Sequence, residues 1–429
     1  MQWNIPSTGE QKLLVIPVDF EESSGNWEDL YEISRAFNGD RSENQYVSVA
    51  EYYALSSRNR LHLDIEVASA FFRSKNHTLA SLQSLSGGFR NSNALTSLYN
   101  EALTWYRDTF EEDPVEKFGF KAENGERKVP VYFVYKAPYN ESRSSMMWAF
   151  SINKPAPVSW SSIEMLHPSS KKVDAHTFIH EVGHLLGLKD YYDSSSSGSV
   201  SSISPLGRMD MMDCSLGDQN AYSKFLLGWE RPFVPTSSCQ ITLRPGSGNN
   251  ESILLSPSFN GTPYDKYVLL ELYTPSYLNG VDSFRREDIA MRLPNKPGIK
   301  AYLVDSSLYL YNKDYPSTID KRLDPSNYEA DRRLGIGNDN NDRVDPLIQL
   351  LDKSSGSSYL TPYYVASTMN KEVEEGGVKL SLRDSLFYEG EGIGGDNFTD
   401  LDILGSKLGY GFSVKSLTST YAEIDIKKL

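Results

Sequence analysis

The chain has 429 residues and a formal net charge of −14, with 57 acidic against 43 basic side chains and no basic block. That balance excludes the electrostatic footprint of a nucleic-acid binder, and no apolar run reaches the length of a membrane span. The length suffices to bury a large core without staples. The two cysteines, Cys214 and Cys239, make no disulfide framework; the readings open are that they pair with one another, that they stay as thiols, or that Cys214 approaches a bound ion.

The N-terminus carries no positively charged segment followed by an apolar core, so a secretory signal or pro-segment is not expected within this chain. Lys12 to Val18 is an apolar, β-type run and the first predicted strand. Trp27 to Phe37 and Ser48 to Leu55 place apolar residues at helical spacing, and Leu61 to Val67 alternates as a half-buried strand does. Asn93 to Phe110 predicts a long helix, Val129 to Tyr135 a strand, and Met146 to Ile152 a short strand.

Val173 to Leu186 predicts the next helix, with Asp174 as an N-cap or first-turn acid. It carries His180-Glu181-Val182-Gly183-His184 and runs on to Gly187 and Asp190. Residues four apart stack on one helix face, so His180 and His184 can grip one ion. Glu181 lies about 100° round from His180 and reaches a metal-bound water without being a ligand. Gly187 stands where a helix end calls for left-handed backbone. A turn there returns the chain so that Asp190 supplies a third ligand, with the fourth position left for water. His176 lies one turn before His180. It reads either as a group that orients the ligands or as a partly buried structural histidine.

Ser194 to Ser204 is a Ser/Gly-rich loop. After Pro235 the texture changes to short strand-like runs: Ile241–Leu243, Ser252–Leu255, Tyr267–Leu272, Ile299–Val304, Leu347–Leu351 and Tyr421–Ile426. Leu278 to Pro297 and Tyr311 to Asp342 read as long charged loops. Asn338 to Asp345 gathers oxygen donors but lacks the glycine and terminal glutamate of an EF-hand loop. A structural Ca2+ site and a polar turn fit it equally, and Asp396 to Asp402 is a weaker version. The expected division is therefore residues 1–235, a catalytic domain, and 236–429, a β-rich accessory domain.

The run from His180 to Asp190 resembles the extended zinc signature of the metzincin metalloproteases, HExxHxxGxxD, with Asp190 where most families carry a third histidine. Lys189-Asp190-Tyr191-Tyr192-Asp193 is similar to the immune inhibitor A family of secreted bacterial metalloproteases. So are Gly207 to Asp213, at the place of that family's methionine turn, and Tyr222 to Trp229. The resemblance implies an α+β fold. A metzincin-like domain, with a mixed twisted sheet and an active-site helix, would precede the β-rich, sandwich-like region. It implies zinc-dependent endopeptidase activity on protein or peptide substrates, one catalytic Zn2+, ligands His180, His184 and Asp190, and Glu181 as general base. Met212 would form the base of the site, with His176, Tyr191, Tyr192 and Asp193 in supporting positions. It also implies secretion, and an edge strand that pairs with substrate, for which Met146 to Ile152 is the candidate, an ordinary internal strand being the alternative; a monomer is the default. One departure stands out: related branches place a tyrosine two residues after the turn methionine, and here Met212 is followed at that interval by Cys214. A phenol, if used, would come from Tyr191, Tyr192 or Tyr222. The rival reading is a catalytically silent metzincin-like binding or adhesion protein.

Overall fold

The computed structural model describes residues 4–85, 92–122, 125–140, 145–153, 156–167, 172–192, 205–245, 251–284, 291–312, 319–320, 332–336, 347–351, 373–375, 378–380, 386–393, 402–403 and 406–429. The fold is α+β. By internal contacts the chain divides into two compact units, Met1–Leu188 and Lys189–Leu429. The boundary expected at residue 235 from the change in texture falls inside the second unit.

The first unit is built on a five-stranded sheet. Its strands are β1 (Gly9–Val18), β2 (Leu61–Val67), β3 (Val131–Tyr135), β4 (Phe150–Ile152) and β5 (Val158–Ser162), in the order β2-β1-β3-β5-β4. β2, β1, β3 and β5 are mutually parallel, and β4 runs antiparallel to β5 at the edge. Leu13 to Ile16 and Val18 of β1 are fully buried, as a central parallel strand covered on both faces requires. On one face Leu14, Ile16, Val131, Phe133, Val158 and Trp160 join one apolar cluster with Leu95, Leu98, Ala102 and Tyr106. The latter four belong to the long helix α3 (Ser92–Phe110).

The opposite face carries α1 (Trp27–Asn38), α2 (Val49–Ser56) and α4 (His176–Leu185). Tyr132 of β3 packs against Phe37 of α1 and Phe178 of α4, with ring centroids 5.1 Å apart in each case. α1 starts in a capping box, Asn26 accepting from the Asp29 amide while the Asp29 carboxylate accepts from the Asn26 amide. The observed edge strand is shorter than expected, covering only Phe150–Ile152 of the Met146–Ile152 run.

The second unit begins with two short helices, α5 (Met211–Cys214) and α6 (Ala221–Leu226). The two largest antiparallel sheets among the described residues of this unit lie beyond them in the chain. β6 (Cys239–Leu243), β12 (Gly392–Ile393), β13 (Tyr410–Leu417) and β14 (Ala422–Lys428) form one, in the order β12-β13-β14-β6. β7 (Ser252–Leu255), β8 (Lys266–Tyr273), β9 (Gly298–Asp305) and β10 (Ile348–Leu350) form the other, in the order β10-β9-β8-β7, with β11 (Leu386–Phe387) also paired to β9. Residues of both sheets share one apolar cluster, Leu243, Val414 and Ile424 from one and Ile253, Val268 and Leu303 from the other. The stretch read as a loop from Leu278 contains a helical turn, Gly280–Phe284, and the Tyr311 stretch begins within a strand, Leu308–Asn312. Cys214 and Cys239 are not joined in a disulfide. The Asn338–Asp345 run and most of Asp396–Asp402 lie outside the described residues, as does the Ser194–Ser204 loop. No described helix is long and apolar enough to cross a membrane.

Candidate metal centre

α4 starts at His176, three residues later than its apolar spacing suggests. The cause is local. The Asp174 carboxylate accepts the His176 amide at 3.0 Å, and the backbone groups flanking it are used elsewhere: Asp174 N–H donates to Leu166 O and Gln45 N–H to Val173 O. Asp174 thus holds the chain short of helical geometry and satisfies the first amide of α4. It also faces Nδ1 of His176, whose ring stacks on Tyr46 at 3.8 Å between centroids. His176 is buried in those contacts and is not among the residues whose ligand atoms converge.

The other end of α4 is a Schellman motif. Gly187 has φ +99°; its amide donates to His184 O at 3.0 Å, and the Leu188 amide donates to Gly183 O at 3.0 Å. The reversal brings the Leu188 carbonyl to 2.9 Å from His184 Nδ1. A carbonyl accepts only, so Nδ1 carries the proton and the lone pair lies on Nε2. Gly187 therefore sets both the chain direction after the helix and the tautomer of a histidine on it.

His180 and His184 stand edge to face, their ring centroids 4.9 Å apart. With Asp190 they form a group in which one ligand atom from each residue lies within 4.8 Å of the others. His180 is buried, and His184 and Asp190 are half-buried. Tetrahedral zinc with bonds of about 2.0–2.2 Å needs ligand atoms about 3.3–3.6 Å apart. Small side-chain rotations close that difference. Two imidazoles and a carboxylate suit zinc, and His184 already has the hydrogen-bonded outer nitrogen common to metal-binding histidines. The residues present therefore fit the ion.

Glu181 is buried, and a buried carboxylate needs hydrogen-bond partners. Ser151 of β4 donates to its Oε2 at 2.8 Å and lies 2.9 Å from its main-chain oxygen. Asn153 Nδ2 donates to the His184 carbonyl at 3.3 Å. The edge strand and the residue after it thus reach two successive turns of α4. Tyr53 donates to Ile179 O at 2.7 Å. Burial drives the Tyr53 and Tyr132 phenols far above their ordinary range, and the Glu181 charge adds to it.

Tyr191 follows Asp190, and its amide donates to Met212 O at 2.9 Å, tying the segment after the carboxylate to α5. Met211 and Met212 are fully buried. Asp210 caps α5, accepting from the amides of Met212 and Asn220 and from Asn220 Nδ2 at 2.7 to 2.9 Å. Complete burial raises its carboxyl to about 6, against the opposing charge of Lys300. The Tyr191 hydroxyl pairs with Ser223 Oγ at 2.7 Å, and burial pushes it far up. Tyr222 is buried too, and Tyr192 is half-buried. Asp193 lies outside the described residues.

Sequence reasoning missed β5 and with it the polar floor beneath Glu181. Ser159 and Ser161 alternate with Val158 and Trp160, an amphipathic pattern that was the available signal. No protein-family model matches the chain, and no curated protein matches it.

Proposed function

We propose that this chain is a zinc-dependent endopeptidase of the immune inhibitor A type, within the metzincin clan, that hydrolyses peptide bonds in protein substrates. The observation that carries the reading is the convergence of His180, His184 and Asp190, with Glu181 next in sequence to the first ligand.

His180 and His184 would hold the ion through imidazole nitrogens and Asp190 through a carboxylate oxygen. Zinc bound there supplies Lewis acidity toward a carbonyl and lowers the pKa of water. Glu181 takes the proton of the attacking water and delivers it to the leaving amine. Ser151 and the buried surroundings keep that carboxylate in one place. β4 is the last strand of its sheet among the described residues; lying next to α4, it is the element along which an extended peptide would pair. The burial of Met211 and Met212, and the bond from Tyr191 to Met212 O, fit a packing role for the methionine turn. The reading includes export from the cell and a monomeric enzyme.

A silent binding protein would be free to lose Glu181, yet the carboxylate is present and hydrogen-bonded. The test is cleavage of casein by the full chain, with chelator and after zinc is restored. Cleavage that stops with chelator and returns with zinc supports the peptidase. A zinc-loaded chain that cleaves no protein in a broad substrate panel favours the binding module.

A further inference from the structure

Ser151 belongs to the three-residue edge strand β4, whose Phe150 and Ile152 point into the apolar cluster on the far face of the sheet. Alternation turns Ser151 the other way, toward α4. Directly opposite it in the ladder is Ser159 of β5, with the two Oγ atoms 2.7 Å apart. Ser159 Oγ in turn lies 3.4 Å from the Glu181 carbonyl. A sheet face that packs against a helix ordinarily presents apolar side chains. Here two paired hydroxyls meet the helix at a single residue, and that residue is Glu181.

From this geometry we infer that Ser151 is a positioning residue, its hydroxyl fixing the Glu181 carboxylate against the edge of the sheet. The role rests on the reading of Glu181 as general base. A hydroxyl donating to a buried carboxylate is a charge-assisted bond, shorter and stronger than a neutral one. It removes rotamer freedom from the glutamate, which otherwise has several side-chain torsions to order before it can accept a proton. Ser159, 2.7 Å from Ser151 Oγ, can donate to it and leave the Ser151 proton for Glu181. Because the holding group sits on the strand that borders the helix, the base and the strand edge move as one body. A serine in a short strand gives no sequence signal.

The test compares Ser151→Ala, Ser151→Thr and Glu181→Gln in the full chain. Zinc content and melting temperature establish that each variant is folded and loaded. The expected result for Ser151→Ala is a fall in kcat of roughly tenfold to a hundredfold with KM unchanged. Ser151→Thr, which restores the hydroxyl on a strand-favouring residue, should recover most of the loss. A second readout needs neither metal nor activity. In the metal-free chain with 13C-labelled glutamate carboxyls, the resonance that disappears in Glu181→Gln should move in Ser151→Ala and return in Ser151→Thr. An unmoved resonance, or a fully active Ser151→Ala beside an inactive Glu181→Gln, would overturn the role of Ser151 alone. Wild-type activity in Glu181→Gln would instead remove the base, and the positioning role with it.

Discussion

Gly187→Ala concentrates its damage at one turn. Gly187 has φ +99°, and a Cβ there would stand 2.3 Å from Asn4 Nδ2 and 3.0 Å from Asn4 Cγ. The dihedral alone costs an L-residue about 1–2 kcal/mol. Asn4 is a side-chain end and can swing aside, so the clash adds at most about 1 kcal/mol more. The cheapest escape for the chain is to open the Schellman turn. Opening it breaks the Leu188 carbonyl contact to His184 Nδ1 and lets Asp190 leave the histidine pair. A penalty of about 2 kcal/mol then appears as a zinc affinity about 30-fold weaker. Competition with a chromophoric chelator measures this, and far-UV circular dichroism should stay unchanged. The double variant Asn4→Ala/Gly187→Ala relieves the clash and leaves the dihedral, so it should recover only part of the loss. Zinc affinity within about twofold of wild type in Gly187→Ala, a difference under about 0.5 kcal/mol, would refute the claim that this turn assembles the site.

The second unit yields two more tests. The Asp210 carboxyl, raised to about 6 by burial, binds its proton more tightly folded than unfolded. Its stabilising contribution is thus present below its unfolded pKa, near about 4, and is lost as pH rises through about 6. Asp210→Asn should flatten that decline relative to wild type in unfolding free energies taken between about pH 4 and 7, and parallel curves would contradict it. Tyr191→Phe removes a buried bond to Ser223 and should cost about 1 kcal/mol of stability while leaving kcat within a few-fold. A loss of kcat of about a hundredfold would show that this phenol takes part in the chemistry.

Much of the first unit was legible because its signals are local. Leu13 to Val18 is a nearly unbroken apolar run, and a central parallel strand needs one. Asn93 to Phe110 repeats at helical intervals over many turns, and α3 fills that span within a residue. Gly187 was legible as a left-handed position from its place after the helix alone. The start of α4 was not, because Asp174 competes for the backbone through its own side chain, which periodicity ignores. β5 was missed because Ser159 and Ser161 are polar by virtue of what they face, Glu181 and Tyr132, and that is a tertiary relation. The same reason hid Ser151. The division of the chain was expected at residue 235, where turn-rich β texture begins. Contacts instead group the Met209–Trp229 segment with the β-rich unit, through bonds such as Lys300 to Met209 O and the Ala221 amide to Glu271. A change in composition marks where strands begin and carries no information about which helices pack on them.

The most direct measurement is zinc content and casein cleavage on the same purified samples of wild type and Glu181→Ala. The account expects equimolar zinc in both, with cleavage only in the wild type. Loss on the order of a hundredfold to ten-thousandfold is the range for removing a general base. Zinc absent from both, or cleavage persisting in Glu181→Ala, would contradict it.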